Sequence, residues 1–298
     1  MLHPVDTGPG AGGLNPGDPP RRGTLDRAHL RLRRRASQLQ DEWLIRRDPT
    51  FRRLSAPLEL PDGSRRVYCH HIRKTAGTSL YLSFLALGGE DPMDVWRRIT
   101  ASRLSRTVSG QYGFVANNRR LLAEGAYLFG RSHRPAADQP LPPKTFTVTI
   151  LRDPIDRVRS YFDYLVDGDP PDSPGRVSDR ERSLARDGFD AFVERVPPGD
   201  LLNQLAMFST RFDVSEAVDR IAACSSVWFT EDFAGGLAGL AHRLELPLTP
   251  HRARATGTRT ILSEAQRERL RTHLEPEYEL LRRLSDAGIA VTSPGSTG

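Results

Sequence analysis

Apolar and polar positions along the chain fall into runs that switch between a period of two and a period of three to four. Arg66-Val67-Tyr68-Cys69-His70-His71-Ile72 reads as a strand, and Thr78 to Leu87 as the helix that follows it. The polar stretch after that helix reads as mostly helical. Ala126-Tyr127-Leu128-Phe129-Gly130 is a short buried strand. Phe146-Thr147-Val148-Thr149-Ile150-Leu151 is a β-branched strand, with Pro154 at the first position of the next helix, where its missing N–H is harmless. Residues 167–187 are rich in Gly, Pro and Asp and read as a loop. Helical patterns cover about 187–223. Ser226-Val227-Trp228-Phe229 is a last short strand, and a helix runs from it to about Leu244. A C-terminal helix is expected from Ser263 to Asp286, with Pro276 a kink or break. Ahead of all this, Thr24 can cap a helix to about Arg47. There Leu25, Ala28, Leu32, Ala36, Leu39 and Trp43 form one apolar stripe, and Asp48-Pro49 stops it.

Strands alternating with helices predict an α/β protein: a three-layer sandwich with a central parallel sheet. In such sheets ligands sit beyond the carboxyl ends of the strands. The predicted organisation is a disordered Gly/Pro-rich tail (1–20), an Arg-rich amphipathic helical extension (21–60), a main domain (61–290) and a short tail (291–298). The first segment has too few apolar residues to offset the entropy of ordering. There is no internal repeat.

Charge sharpens this division. The formal net charge is +6. Eleven Arg lie between Arg21 and Arg53 against Asp26, Asp41, Glu42 and Asp48, so the rest of the chain is near neutral. A nucleic-acid-binding fold usually spreads such charge over its folded face, so no nucleic acid is expected. The basic helix reads as docked on the main domain or on a second subunit, which would make a homodimer, or as a tether for an acidic partner. No apolar run is long enough to span a membrane, and no signal segment is evident. Cys69 and Cys224 are the only cysteines. Together these predict a reduced, cytoplasmic protein.

Two stretches carry candidate chemistry. In the first, the strand ending at Ile72 leads through Arg73-Lys74-Thr75-Ala76-Gly77-Thr78-Ser79 into a helix. Helix-start N–H groups and the helix dipole favour an anion, small residues let the backbone approach it, and Lys74 adds a point charge. Lys74 precedes Gly77, so the order is not the GxxxxGK[ST] of an ATP loop. Only Lys74 and Lys144 are lysine among 43 basic residues. A position that stays Lys in so Arg-rich a chain hints that an ammonium is wanted there. In the second, Leu151-Arg152-Asp153-Pro154-Ile155-Asp156-Arg157-Val158-Arg159-Ser160-Tyr161 puts Arg152 at a strand tip and Ser160 two turns along a helix. Both can hold a phosphate. Arg157 is expected to pair with Asp153 or Asp156. Two anion sites at two strand tips imply a ligand with two separated phosphate-like groups.

This pair of stretches resembles the sulfotransferases that use PAPS (3′-phosphoadenosine 5′-phosphosulfate), in particular the branch of heparan- and carbohydrate-modifying enzymes and their bacterial relatives. The likeness runs from about residue 66 to 245, including Leu202-Asn203-Gln204 and Phe229-Thr230-Glu231-Asp232-Phe233. It implies the sulfotransferase form of the P-loop nucleotide-hydrolase fold. It also implies that Lys74, Gly77, Thr78 and Ser79, within the turn that includes Arg73, Thr75 and Ala76, hold the phosphosulfate, and that Arg152 and Ser160 hold the 3′-phosphate. Arg73 stands where the family has Pro. The resemblance picks out His133, in Gly130-Arg131-Ser132-His133-Arg134-Pro135, as the catalytic base. A histidine suits that role near neutral pH.

His71 matches the family's first-motif histidine and is the alternative base. Arg259 is a candidate third contact to the 3′-phosphate. The expected cofactor is PAPS, leaving as adenosine 3′,5′-bisphosphate, with no metal. The expected acceptor is a small-molecule or glycan hydroxyl. Two other readings stay open: a kinase-like phosphoryl transferase, and a non-catalytic protein that binds through its basic helix.

Overall fold

In a computed structural model of the protein, the chain divides after Asp48 into two units, Met1–Asp48 and Pro49–Gly298. The structure describes Trp43 and residues 59–168, 177–251 and 259–289. Trp43 is helical and exposed. Apart from Trp43 and residues 59–60, the expected Arg-rich extension and both tails lie outside the described residues.

The second unit is α/β, built on one six-stranded sheet in the order β2-β3-β4-β1-β5-β6. The strands are β1 (Arg66–His70), β2 (Arg106–Ser109), β3 (Tyr112–Ala116), β4 (Phe129–Ser132), β5 (Thr145–Leu151) and β6 (Ser226–Phe229). The sheet is mixed rather than wholly parallel. β3, β4, β1, β5 and β6 run parallel, while β2 pairs antiparallel with β3. The polar stretch expected to be helical therefore contains a hairpin. Its strands are short and one lies at the sheet edge, where burial imposes little apolar pattern.

Side chains of β1 alternate between the two faces. Val67 and Cys69 join Leu80, Phe84, Phe129 and Val148 in one core, under α1 (Gly77–Leu85), α2 (Pro92–Ala101) and α10 (Phe233–Leu244). Phe84 stacks on Phe129 with ring centroids 4.1 Å apart. Burying each such side chain contributes roughly 1.5–3 kcal/mol.

On the opposite face, the His70 ring packs against Phe208 of α8 (Asn203–Phe208). Next to α8 lie α9 (Val214–Ala222) and α11 (Glu264–Asp286). α4 (Pro154–Asp167) and α6 (Phe189–Arg195) pack with α11 in a further core. The element α3 (Arg119–Glu124) precedes β4, and α7 (Pro198–Leu201) precedes α8. Helices thus cover both faces of the sheet.

Three more expectations change. β4 runs from Phe129 to Ser132 rather than from Ala126 to Gly130, so Ala126–Leu128 lie before the strand and Arg131 and Ser132 belong to it. Within the expected 167–187 loop, Asp179–Ala185 is helix α5, started by a capping box in which Ser178 and Glu181 exchange hydrogen bonds. α11 continues through Pro276 as one 23-residue helix without a break. Among the described residues no helix is long and apolar enough to cross a membrane.

Candidate functional site

The connection after β1 runs toward β2, β3 and β4, and the connection after β5 runs the other way, toward β6. β1 and β5 are neighbours. Their carboxyl ends therefore flank the crevice where an α/β sheet binds ligands. Both stretches singled out in the sequence start there.

The first turn, between β1 and α1, has left-handed backbone at Lys74 (φ 68) and Ala76 (φ 62) but not at Thr75. Such alternation turns successive N–H groups toward a common side, the geometry of an anion-binding concavity. Ala76 is the N-cap of α1 and supplies no side-chain cap. The first N–H groups of a helix have no partner within it, so Gly77, Thr78 and Ser79 bring donors to the turn. Thr75 is buried, and its hydroxyl donates to the Ile72 carbonyl at 3.1 Å, bracing the turn from inside. Gly77 is required by packing, since a Cβ built on it would overlap the His71 ring. The Lys74 ammonium lies 4.4 Å from the centre of the Tyr164 ring, within cation–π range.

The Arg73 side chain is turned toward protein carboxylates. Its guanidinium donates to Glu181 at 2.9 Å and to the Tyr161 hydroxyl at 3.2 Å, and lies 3.9 Å from Asp200. It joins the turn to α5, α4 and α7.

The second turn, between β5 and α4, caps itself. Asp153 accepts the Asp156 N–H at 2.9 Å, and Pro154 occupies the first helical position. Arg152 Nη1 donates to the Lys74 carbonyl at 3.0 Å, so the two turns touch. Beside it opens a cleft of about 390 Å³ lined by Arg152, Asp156, Arg159, Ser160, Asp163, Thr230, Glu231 and Arg259. Ser160 and Arg259 thus share one cavity with Arg152. The neighbours of Arg259 on its amino side lie outside the described residues.

Charges in the cleft are partly matched. Arg159 pairs with Asp156 at 2.7 Å, and Asp163 accepts the Thr260 N–H at 3.2 Å. Arg259 stands 4.0 Å from Asp156. The Nε groups of Arg152 and Arg159 are buried without a hydrogen-bond partner. Burial lowers the pKa of Arg152 from its ordinary value, with the charge of Asp156 and Glu231 opposing it. Two guanidiniums with unmatched N–H groups are suited to a phosphate-like anion.

The expected pairing of Arg157 with Asp153 or Asp156 is replaced. Arg157 points into the core and lies 3.6 Å from Glu277, both fully buried, and it donates to the carbonyls of Asp200 and Leu201. Glu277 also accepts the Gln204 backbone N–H at 2.7 Å and its side-chain amide at 3.1 Å. Sequence reading gave Glu277 no role. Its signal was its position among Leu270, Leu274, Leu280 and Leu284, a carboxylate on the buried face of a helix.

The two candidate bases differ in their protons. Arg131 Nη1 lies 2.6 Å from His71 Nδ1, and Arg131 also covers the Tyr81 ring at 4.2 Å. A guanidinium can only donate, so His71 Nδ1 accepts and its proton sits on Nε2. His133 Nδ1 lies 2.7 Å from the His71 carbonyl, which can only accept. Its proton therefore sits on Nδ1, and its Nε2 lone pair is available. The two rings are 4.3 Å apart.

Burial, then the positive neighbours His133, Arg131, Arg73 and Lys74, push the His71 pKa well below its ordinary value. His133 is lowered by surrounding protein and by Arg131 and Arg73. It is nevertheless solvent-exposed. That exposure limits the desolvation share, so the direction stands on the two guanidiniums. Both histidines are neutral at pH 7.

Among the described residues no group of three or more His, Cys, Asp or Glu is arranged to hold a metal. No protein-family model matches the chain, and no curated protein matches it.

Proposed function

We propose that the protein is a PAPS-dependent sulfotransferase acting on a hydroxyl of a glycan, glycolipid or secondary metabolite. The observation that carries this reading is the contact of two anion-ready turns at adjacent strand tips, joined by Arg152 Nη1 and the Lys74 carbonyl. Their chemistry differs in the way a donor with a phosphosulfate at one end and a 3′-phosphate at the other requires. The uncapped start of α1 offers backbone donors, the Thr78 and Ser79 hydroxyls and the Lys74 ammonium. The cleft offers Arg152, Arg159, Ser160 and Arg259. The orphaned Nε groups of Arg152 and Arg159 support the fit.

The donor supplies the sulfuryl group and departs as adenosine 3′,5′-bisphosphate. Lys74 stabilises negative charge at the departing oxygen, and the N–H groups at the start of α1 stabilise the sulfuryl oxygens. His133 takes the acceptor's proton on Nε2 while its Nδ1–H stays on the His71 carbonyl, which holds the ring in place. The tautomers support His133 over His71 as base, because Arg131 occupies the one lone pair His71 has.

The test is calorimetric titration of adenosine 3′,5′-bisphosphate into the purified full chain, followed by incubation with labelled PAPS and a panel of hydroxyl acceptors. Binding of the bisphosphate without magnesium, and label transfer to at least one acceptor, are expected. Absence of bisphosphate binding, with ATP bound in a magnesium-dependent way, would replace this reading by a phosphoryl transferase.

A further inference from the structure

We infer that Asn203 and Gln204 form a two-pronged clamp that sets the spacing of the two anion turns and couples them. A ligand with two anionic groups then binds far better than one that fills either turn alone. The Asn203 side-chain oxygen accepts the Arg73 backbone N–H at 2.9 Å, across 130 positions of sequence. The next residue grips the other turn by both backbone groups: Gln204 Oε1 accepts the Arg152 N–H at 2.9 Å, and its Nε2 donates to the Arg152 carbonyl at 3.0 Å. With Arg152 Nη1 on the Lys74 carbonyl, the contacts close a circuit: Arg73, Lys74, Arg152, Gln204, Asn203 and back to Arg73.

A closed circuit has a property that a single contact lacks. Neither turn can shift without straining the grip on the other. The circuit is also anchored from behind. Gln204 and Glu277 are fully buried, and Glu277 holds both the backbone and the side-chain amide of Gln204. Asn203 Nδ2 donates to the Gly199 carbonyl at 3.0 Å, which fixes its oxygen toward Arg73. Asn203 and Gln204 are thus positioning residues, acting through Arg73 and Arg152. The hydrogen bonds carry the clamp; the nature of the two-anion ligand rests on the sulfotransferase reading.

The experiment compares Asn203→Ala, Asn203→Asp and Gln204→Ala with wild type in two ways. In the first, adenosine 3′,5′-bisphosphate, 5′-AMP, 3′-AMP and inorganic phosphate are each titrated. Loss of the clamp is expected to weaken the bisphosphate about tenfold or more, since a backbone N–H loses its partner. The single-anion probes should change much less. Asn203→Asp keeps the acceptor oxygen for the Arg73 N–H but loses the donor to Gly199 and adds a negative charge, so it should keep exchange at Arg73 slower than Asn203→Ala does without restoring anion affinity. In the second, amide hydrogen exchange should quicken in residues 73–79 and at Arg152 and Asp153, with α11 unchanged.

Equal weakening of all probes, or loosening spread over α11 as well, would reduce these residues to general scaffold and overturn the clamp. If wild type binds no bisphosphate, the sulfotransferase reading fails, and exchange alone decides the clamp: faster exchange in both turns sustains it, unchanged exchange removes it. The half-buried Asn203 pair keeps the test decisive should Gln204→Ala not fold.

Discussion

The turn after β1 and the turn after β5 each start a helix at a strand tip, yet they treat the helix start differently. α4 closes its own first turn with Asp153 and Pro154. α1 has left-handed Ala76 as N-cap, a residue that supplies no side-chain cap. The second turn thus covers the Asp156 N–H with a carboxylate of its own, and under the proposed function anion binding falls to the guanidiniums in the cleft. In the first, the N-cap residue supplies no such carboxylate, and under the proposed function the helix start faces the sulfuryl donor. Resemblance to a phosphate loop therefore lies less in glycine content than in where the capping carboxylate is missing.

Three experiments sharpen or break this contrast. The largest effect is expected at the first turn and its neighbour. Lys74→Ala should lower turnover by about 10²–10³-fold, the scale of losing one preorganised charge-stabilising donor. His133→Ala should lower it by about 10²–10⁴-fold, the scale of losing a general base. His133→Ala should leave bisphosphate affinity unchanged, because no turn changes. Steady-state rates with PAPS and calorimetry separate the two variants. Unchanged turnover in His133→Ala would remove it as base.

Acid is expected to act next. Burial lowers the pKa of His70, at the end of β1, to about 4. The unfolded chain takes up that proton near 6.5. Below about pH 6.5 the unfolded state therefore binds more protons than the folded one, and stability falls as pH falls. The share from His70 approaches about 3 kcal/mol near pH 4. His71 and His133 act in the same direction. Urea denaturation between pH 7.5 and 4.5 measures the slope, and His70→Asn should flatten it. An equal slope in that variant would show that the acid sensitivity lies away from His70, with His71 and His133 the next groups to test.

The smallest effect belongs to the second turn. Asp153→Ala removes the cap on α4 and should cost about 1 kcal/mol of stability by denaturation. Inorganic phosphate affinity should hold. A large loss of phosphate affinity would mean that the second turn depends on its cap for binding, and the contrast would collapse.

Much of the frame was readable in the sequence. β1, β5 and β6 were legible because buried parallel strands are short apolar runs. Arg152 was legible at a strand tip, Ser160 two turns along the helix that follows and Arg259 in a late loop, and the three share one cavity. What escaped depends on contacts between distant positions. The β2–β3 hairpin is short and at the edge. Helix α5 is specified by its capping box within a polar segment, and α11 keeps its course through Pro276 with Leu270, Leu274, Leu280 and Leu284 packed in the core. Gln204 holds Arg152 across 52 positions and Glu277 across 73, and no local period records that. The hints were polar residues in apolar company: Asn203-Gln204 between Leu202 and Leu205, and Glu277 among leucines.

The overlap between His71 and any Cβ at position 77 also sets an order on how this site can vary. A side chain at 77 forces the ring at 71 to shift, so a change at 77 taken first meets that overlap, while the same change after a smaller residue at 71 does not. The glycine is thereby tied to a ring six residues earlier. The route by which the turn can drift is open in one direction and closed in the other.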